Sequence, residues 1–211
     1  MQKKTKPRTK AEARILESAV VLFSRHGFDG ATIREITKYA HTTPMTLYRG
    51  FPNKEKLIRE TLLLALKRHF EPSQLLMVLY ADAANKGLSE LLPSALLRWY
   101  HSLAVPATKL LINAYASHDE QWRSIAAQAI EDLTKILTTF IDRNVHTSTR
   151  RKVAASRTVA RTLLTILLYL KITSPQNQSR QQQKQIHDEV EETLEYCLVG
   201  LHRSSDRPAY S

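Results

Sequence analysis

Residues 32–51 read TIREITKYAHTTPMTLYRGF, and this stretch decides the fold. Thr32 stands before a run in which Ile33, Ile36 and Ala40 recur at helical spacing, so it caps a short helix with those three residues facing inward. A tight turn follows. Thr43 and Pro44 then start another helix, because threonine supplies a capping oxygen and proline at the first helical position forfeits no needed hydrogen bond. That helix, PMTLYRGF, is about two turns long, and Phe51 with Pro52 breaks it. Two short helices joined by a turn of a few residues, the second rich in hydroxyls and carrying a basic residue, match the helix-turn-helix that lays its second member in a DNA major groove.

Upstream, Thr9 caps a helix in which Ala13, Leu16, Ala19, Val20 and Phe23 form one apolar stripe, and His26 with Gly27 ends it, since glycine tolerates positive φ. Downstream, Asn53 caps a fourth helix through Lys54, Leu57, Ile58, Leu62, Leu66 and Phe70, a rod of roughly 27 Å. From there no strand pattern occurs. Apolar runs at helical spacing are punctuated by Pro72, Asn85 with Gly87, Pro93, Pro106, residues 144–149 and residues 174–183, which implies about six further helices. The expectation is an all-α chain of about nine or ten helices. It comprises a head over 1–52 with a basic N-terminal arm, a linker helix over 53–70, and a larger helical region over 71–211.

Charge points the same way. Thirteen basic against five acidic residues lie between Met1 and Arg59, so most of the net charge of +11 sits on the head. This is the footprint of one small segment that meets a polyanion. Five glycines in all, none at phosphate-loop or dinucleotide-turn spacing, argue against nucleotide-dependent enzymes of those classes. A single cysteine, Cys197, rules out an intramolecular disulfide and any CxxC motif, and suits a reducing cytoplasm. The scattered histidines form no HxxxH pair, and no metal site or cofactor is expected. No signal peptide is expected at the N-terminus. The apolar segment around Leu163 to Leu170 is too short to span a bilayer, so no membrane partner is expected.

Between Arg14 and Leu57 the sequence closely resembles the N-terminal signature of the TetR family of one-component transcriptional regulators. The resemblance rests on Ile15, Ala19, Phe23, Gly27, Phe28, Thr32, Ile33, Ile36, Ala40, Thr43, Thr46, Leu47, Tyr48, Phe51, Lys54, Glu55 and Leu57. Phe23, Phe28, Ile36, Leu47 and Phe51 are spaced to close a miniature core across three helices. The resemblance implies a repressor that binds double-stranded DNA at a palindromic operator as a homodimer and is released by a small-molecule effector. A nonspecific nucleoid-type DNA-binding protein is the alternative, and a helical enzyme without a recognisable motif a weaker one.

Within that reading, Thr32, Thr43, Tyr48 and Lys54 meet phosphate, while Thr42, Pro44, Met45, Thr46 and Arg49 lie on the base-reading face. Arg49 can grip guanine bidentately or lie over backbone, and Met45 can touch a thymine methyl. Three positions depart from the family pattern. His41 stands where glycine is usual, Met45 replaces a usually small residue, and Gly50 replaces a residue commonly His or Tyr.

In the remainder, Met77, Tyr80, Trp99, Tyr100, Tyr115, Trp122 and Phe140 either line a cavity for an apolar or aromatic effector or fill a core, and His101, His118, Asp119 and Glu120 could lend such a cavity polar character. Val159, Ala160, Leu163, Leu164, Ile166, Leu167, Leu168 and Leu170 surround the axis of one late helix. Val190, Leu194, Cys197, Leu198 and Leu201 make a stripe on the last. By the resemblance these two helices form the dimer bundle; basic residues such as Arg157 on the first and acidic ones such as Glu192 on the second either set its register or lie on separately solvated faces.

Overall fold

The computed structural model describes residues 9–81, 88–144 and 150–173, with scattered positions between 181 and 196. Every regular element among them is an α-helix: α1 (Lys10–Gly30), α2 (Ile33–Tyr39), α3 (Pro44–Gly50), α4 (Lys54–His69), α5 (Pro72–Tyr80), α6 (Leu88–Ser102), α7 (Val105–Tyr115), α8 (Glu120–Asn144) and α9 (Arg150–Thr173). They sort into two compact units. The first takes the chain to Arg68 and adds residues 106–127, and the second comprises residues 69–105 and 128–211.

In the first unit the caps act as the sequence dictates. Thr9 and Thr32 each accept from the backbone N–H of the residue three further on, Glu12 and Glu35, whose carboxylates reach back to the threonine N–H groups. Each box satisfies two amides that a helix start leaves unpaired. α1 breaks at Gly27 (φ 72°, ψ 177°), a conformation essentially confined to glycine, before a last turn to Gly30. Phe23, Phe28, Ile36, Leu47 and Phe51 are all buried, and the Phe23 and Phe28 rings meet edge to face at 5.6 Å. Leu57, Ile58, Leu62 and Ala65 carry the α4 stripe into the same unit. α7 and the first turns of α8 also belong here. Asn113 donates from Nδ2 to the Phe23 carbonyl at 3.2 Å, and Trp122 packs on Phe28 at 6.1 Å between ring centres.

In the second unit Phe70 stands edge to face on Trp99, and Tyr80 on Phe140. Lys171 of α9 donates to the Tyr100 carbonyl at 3.1 Å and lies 4.6 Å above its ring, and burial pushes its pKa down. Two expectations are corrected here. Pro93 does not punctuate the chain but lies inside α6. The hydrogen bond it forfeits is offset by burial of Leu91, Leu92, Ala95, Leu96 and Leu97 around it. Nor is α9 apolar all round, because Ala160, Leu163, Leu164, Leu167 and Leu168 make one buried face while Thr158, Arg161, Thr162, Thr165 and Tyr169 are exposed.

Candidate nucleic-acid interface

α3 is held by the first unit's core through one residue, Leu47, which is fully buried. Around it the helix turns outward: Thr43, Pro44 and Arg49 are exposed, Met45 is 83% exposed and Tyr48 48%. Thr42 and Thr46 are half-buried. Thr43 caps the helix by accepting from the Thr46 N–H at 3.3 Å, and the two hydroxyls lie 3.1 Å apart. The turn into α3 is closed by the Thr42 N–H donating to the Thr37 carbonyl at 2.9 Å.

The three departures from the family pattern acquire physical content. His41 takes φ 50°, alone among described non-glycine residues in having a positive φ, so the turn keeps a glycine-like backbone at a steric cost. Gly50 leaves room for Glu12, since a Cβ there would lie 3.0 Å from the Glu12 Cγ and 3.2 Å from its Oε1. A side chain at this position would push on the carboxylate that completes the first capping box. Met45 stands clear of the core.

Flanking groups complete the face. Thr32 is exposed, but its hydroxyl donates to Glu35 Oε2 at 2.8 Å while accepting from the Glu35 N–H, so a carboxylate already occupies the start of α2. Hydrogen bonds from the Thr32 backbone and then from its hydroxyl hold the Glu35 carboxyl below the usual carboxylate range. Lys54 is half-buried and donates from Nζ to the Asp29 carbonyl at 3.2 Å, which fixes its direction. Arg34 and Lys38, four apart on the exposed side of α2, add two cations that the sequence reading did not single out. Their signal was their position opposite the inward Ile36, a weaker cue than a motif.

The residues proposed for an effector are divided between the two units. Tyr115 and Trp122 belong to the first unit, and Met77, Tyr80, Trp99, Tyr100 and Phe140 to the second. Trp99, Tyr100 and Phe140 are buried, whereas Met77 is largely exposed. His101 belongs to the second unit, and His118, Asp119 and Glu120, at and just before the start of α8, to the first. Of the dimer candidates, Leu163, Leu164 and Leu167 are buried within the second unit of a single chain, and Val190, Leu194, Cys197, Leu198 and Leu201 lie outside the described residues. Arg157 pairs with Glu131 of α8 at 2.8 Å. Beside it runs a groove of about 410 Å³ along the exposed face of α9, lined by Arg157, Arg161, Thr162, Thr165 and Ile166 among others. Among the described residues no helix is long and apolar enough to cross a membrane, and no group of three metal-ligating side chains gathers.

A short capped helix offered to solvent by a three-helix core, followed by a helical body, defines a helix-turn-helix protein of the all-α class. Residues 15–61 match the model of the bacterial regulatory proteins of the tetR family. Over those residues the chain is similar to that family. It is similar to the biofilm operon HTH-type negative transcriptional regulator IcaR of Staphylococcus epidermidis, 35% identical over 48 residues, which are 23% of this chain and 26% of that one. It is also similar to the HTH-type transcriptional repressor BdcR of Escherichia coli, 32% identical over 124 residues, 58% of this chain and 61% of that one. The matched stretches thus span about a quarter and about three fifths of these curated relatives. Among solved structures, the TetR-family regulator CifR, determined with a 26-base-pair double-strand operator DNA, shares the fold. Its TM-score is 0.67 at 20% identity, covering 90% of this chain and 98% of that one.

Proposed function

We propose that this chain is a sequence-specific DNA-binding transcriptional regulator, a repressor that grips a palindromic operator as a homodimer and lets go when a small apolar or aromatic effector binds. One observation carries the reading: α3 exposes Met45, Tyr48 and Arg49 together while Leu47 alone anchors it. Repression is supported by the names of IcaR and BdcR, and a duplex partner by the operator bound to CifR.

In this reading Thr43 and Tyr48 hold phosphate oxygens, Lys54 supplies a point charge, and Pro44, Met45, Thr46 and Arg49 face base edges with Thr42 behind them. Thr32 contacts phosphate only by sharing its hydroxyl with Glu35. The head over 1–52 does the reading, the helix over 53–70 joins it to the rest, and 71–211 carries effector binding and pairing. A palindrome needs two heads about 34 Å apart or a multiple of it, and one chain has one. The exposed Thr158, Arg161, Thr162, Thr165 and Tyr169 face of α9 is the surface offered to a second copy. Effector release requires that the ligand bind the two conformations with different affinity.

Band-shift titrations over a salt series test the reading. Tyr48→Ala and Lys54→Ala weaken binding to all duplexes and flatten the salt dependence, whereas Arg49→Ala relaxes preference at particular base pairs. Unchanged affinity in all three variants would refute this placement of α3. A nucleoid-type binder would instead treat operator and scrambled duplex alike.

A further inference from the structure

The first unit holds a cleft of about 520 Å³ between the end of α1, the start of α4 and the corner from α7 to α8. That size suits a small organic ligand. Phe28 and Trp122, packed on each other, supply an aromatic wall. The rim is acidic, with Asp29, Glu55 and Asp119.

Five acidic residues occur up to Arg59, and three are accounted for. Glu12 and Glu35 complete capping boxes, and Glu17 pairs with Arg68. Asp29 and Glu55 are the two whose carboxylates take part in no described hydrogen bond or ion pair, and both open on this cleft. Asp119 is partly engaged, accepting from the Gln121 N–H at the start of α8. His118 contributes an imidazole, and the one permanent cation on the wall is Lys54. Its ammonium already lies in the cleft, donating to the Asp29 carbonyl at 3.2 Å. A carbonyl on the cleft wall thus already accepts from an ammonium.

We infer that this cleft is a binding site for a small organic cation, a primary ammonium carried on a flat apolar body, which takes the place of the Lys54 ammonium at the Asp29 carbonyl. The ammonium meets that carbonyl between the Asp29 and Glu55 carboxylates, and the apolar body lies along Phe28 and Trp122. Such a ligand frees or repels Lys54. A consequence for DNA rests on the phosphate role proposed above for Lys54, but binding itself does not depend on that role.

Calorimetric titration of the full chain with phenethylammonium, in the absence of DNA, tests the site. Phenethyl alcohol, the neutral analogue, serves as comparison. Saturable binding of the cation is expected, with the alcohol weaker by about tenfold or more. Asp29→Asn combined with Glu55→Gln lowers affinity for the cation by about tenfold, while Glu17→Gln, an acid outside the cleft, leaves it unchanged. Lys54→Met, which vacates the carbonyl, raises affinity several-fold and gives a second reading should the double variant fold poorly. Equal binding of cation and alcohol, no saturable binding of the cation, or affinities indifferent to the double variant and to Lys54→Met would overturn the inference. Because no DNA is present, these outcomes are separate from failure of the operator reading.

Discussion

At the scale of single residues, two backbone conformations in the head have measurable costs. Gly27 has φ 72° and ψ 177°, and a Cβ there would meet nothing within 4 Å, so only backbone strain opposes a side chain. Gly27→Ala is expected to destabilise the fold by ~1–3 kcal/mol in urea unfolding; a loss near zero would mean that α1 can run on without its break. His41 presents the opposite case, a side chain where glycine would sit without strain. His41→Gly should therefore stabilise by about 1 kcal/mol, read as a higher unfolding midpoint, and a lower midpoint would show that the imidazole contributes packing. Both positions were legible in the sequence, Gly27 as a helix end and His41 as a departure from a glycine. Gly50 was legible only as a departure. Its cause, the side chain of Glu12 lying against it, joins residues far apart in sequence and is invisible to spacing.

At the scale of elements, the three helices of the head follow local rules. The pattern of threonine followed three residues later by glutamate occurs at the starts of both α1 and α2, and in each case the reciprocal box forms. The α2 box has a pH consequence. Because the folded Glu35 pKa lies below its ordinary value, its contribution is present above the unfolded pKa and is lost as pH falls through the folded one. The melting temperature should decline on acidification through this range, and Glu35→Gln should flatten that part of the profile while keeping the box geometry. A variant profile that overlays the native one would remove Glu35 from the acid response. Pro93 shows where local rules fail, since a residue that ends helices is carried inside α6 when enough leucine is buried around it.

At the scale of the whole molecule, the class of fold and the position of α3 were legible because they depend on helical period, caps and one dense motif. The assignment of aromatics was not. Trp122 and Tyr115 lie in the same sequence interval as Trp99 and Phe140, yet α7 and the first turns of α8 cluster with the head. Composition cannot anticipate that, because a tryptophan at helical spacing packs equally well against either unit. The concentration of positive charge up to Arg59 supports the proposed DNA partner, and by that proposal binding is salt-dependent. The most direct measurement is to select bound fragments from random duplex DNA and titrate the recovered sequence against a scrambled one at physiological salt. The account predicts a two-fold symmetric site occupied by two chains and preferred by ~10³ or more. Recovery of no common sequence, with equal affinity for both duplexes, would contradict it.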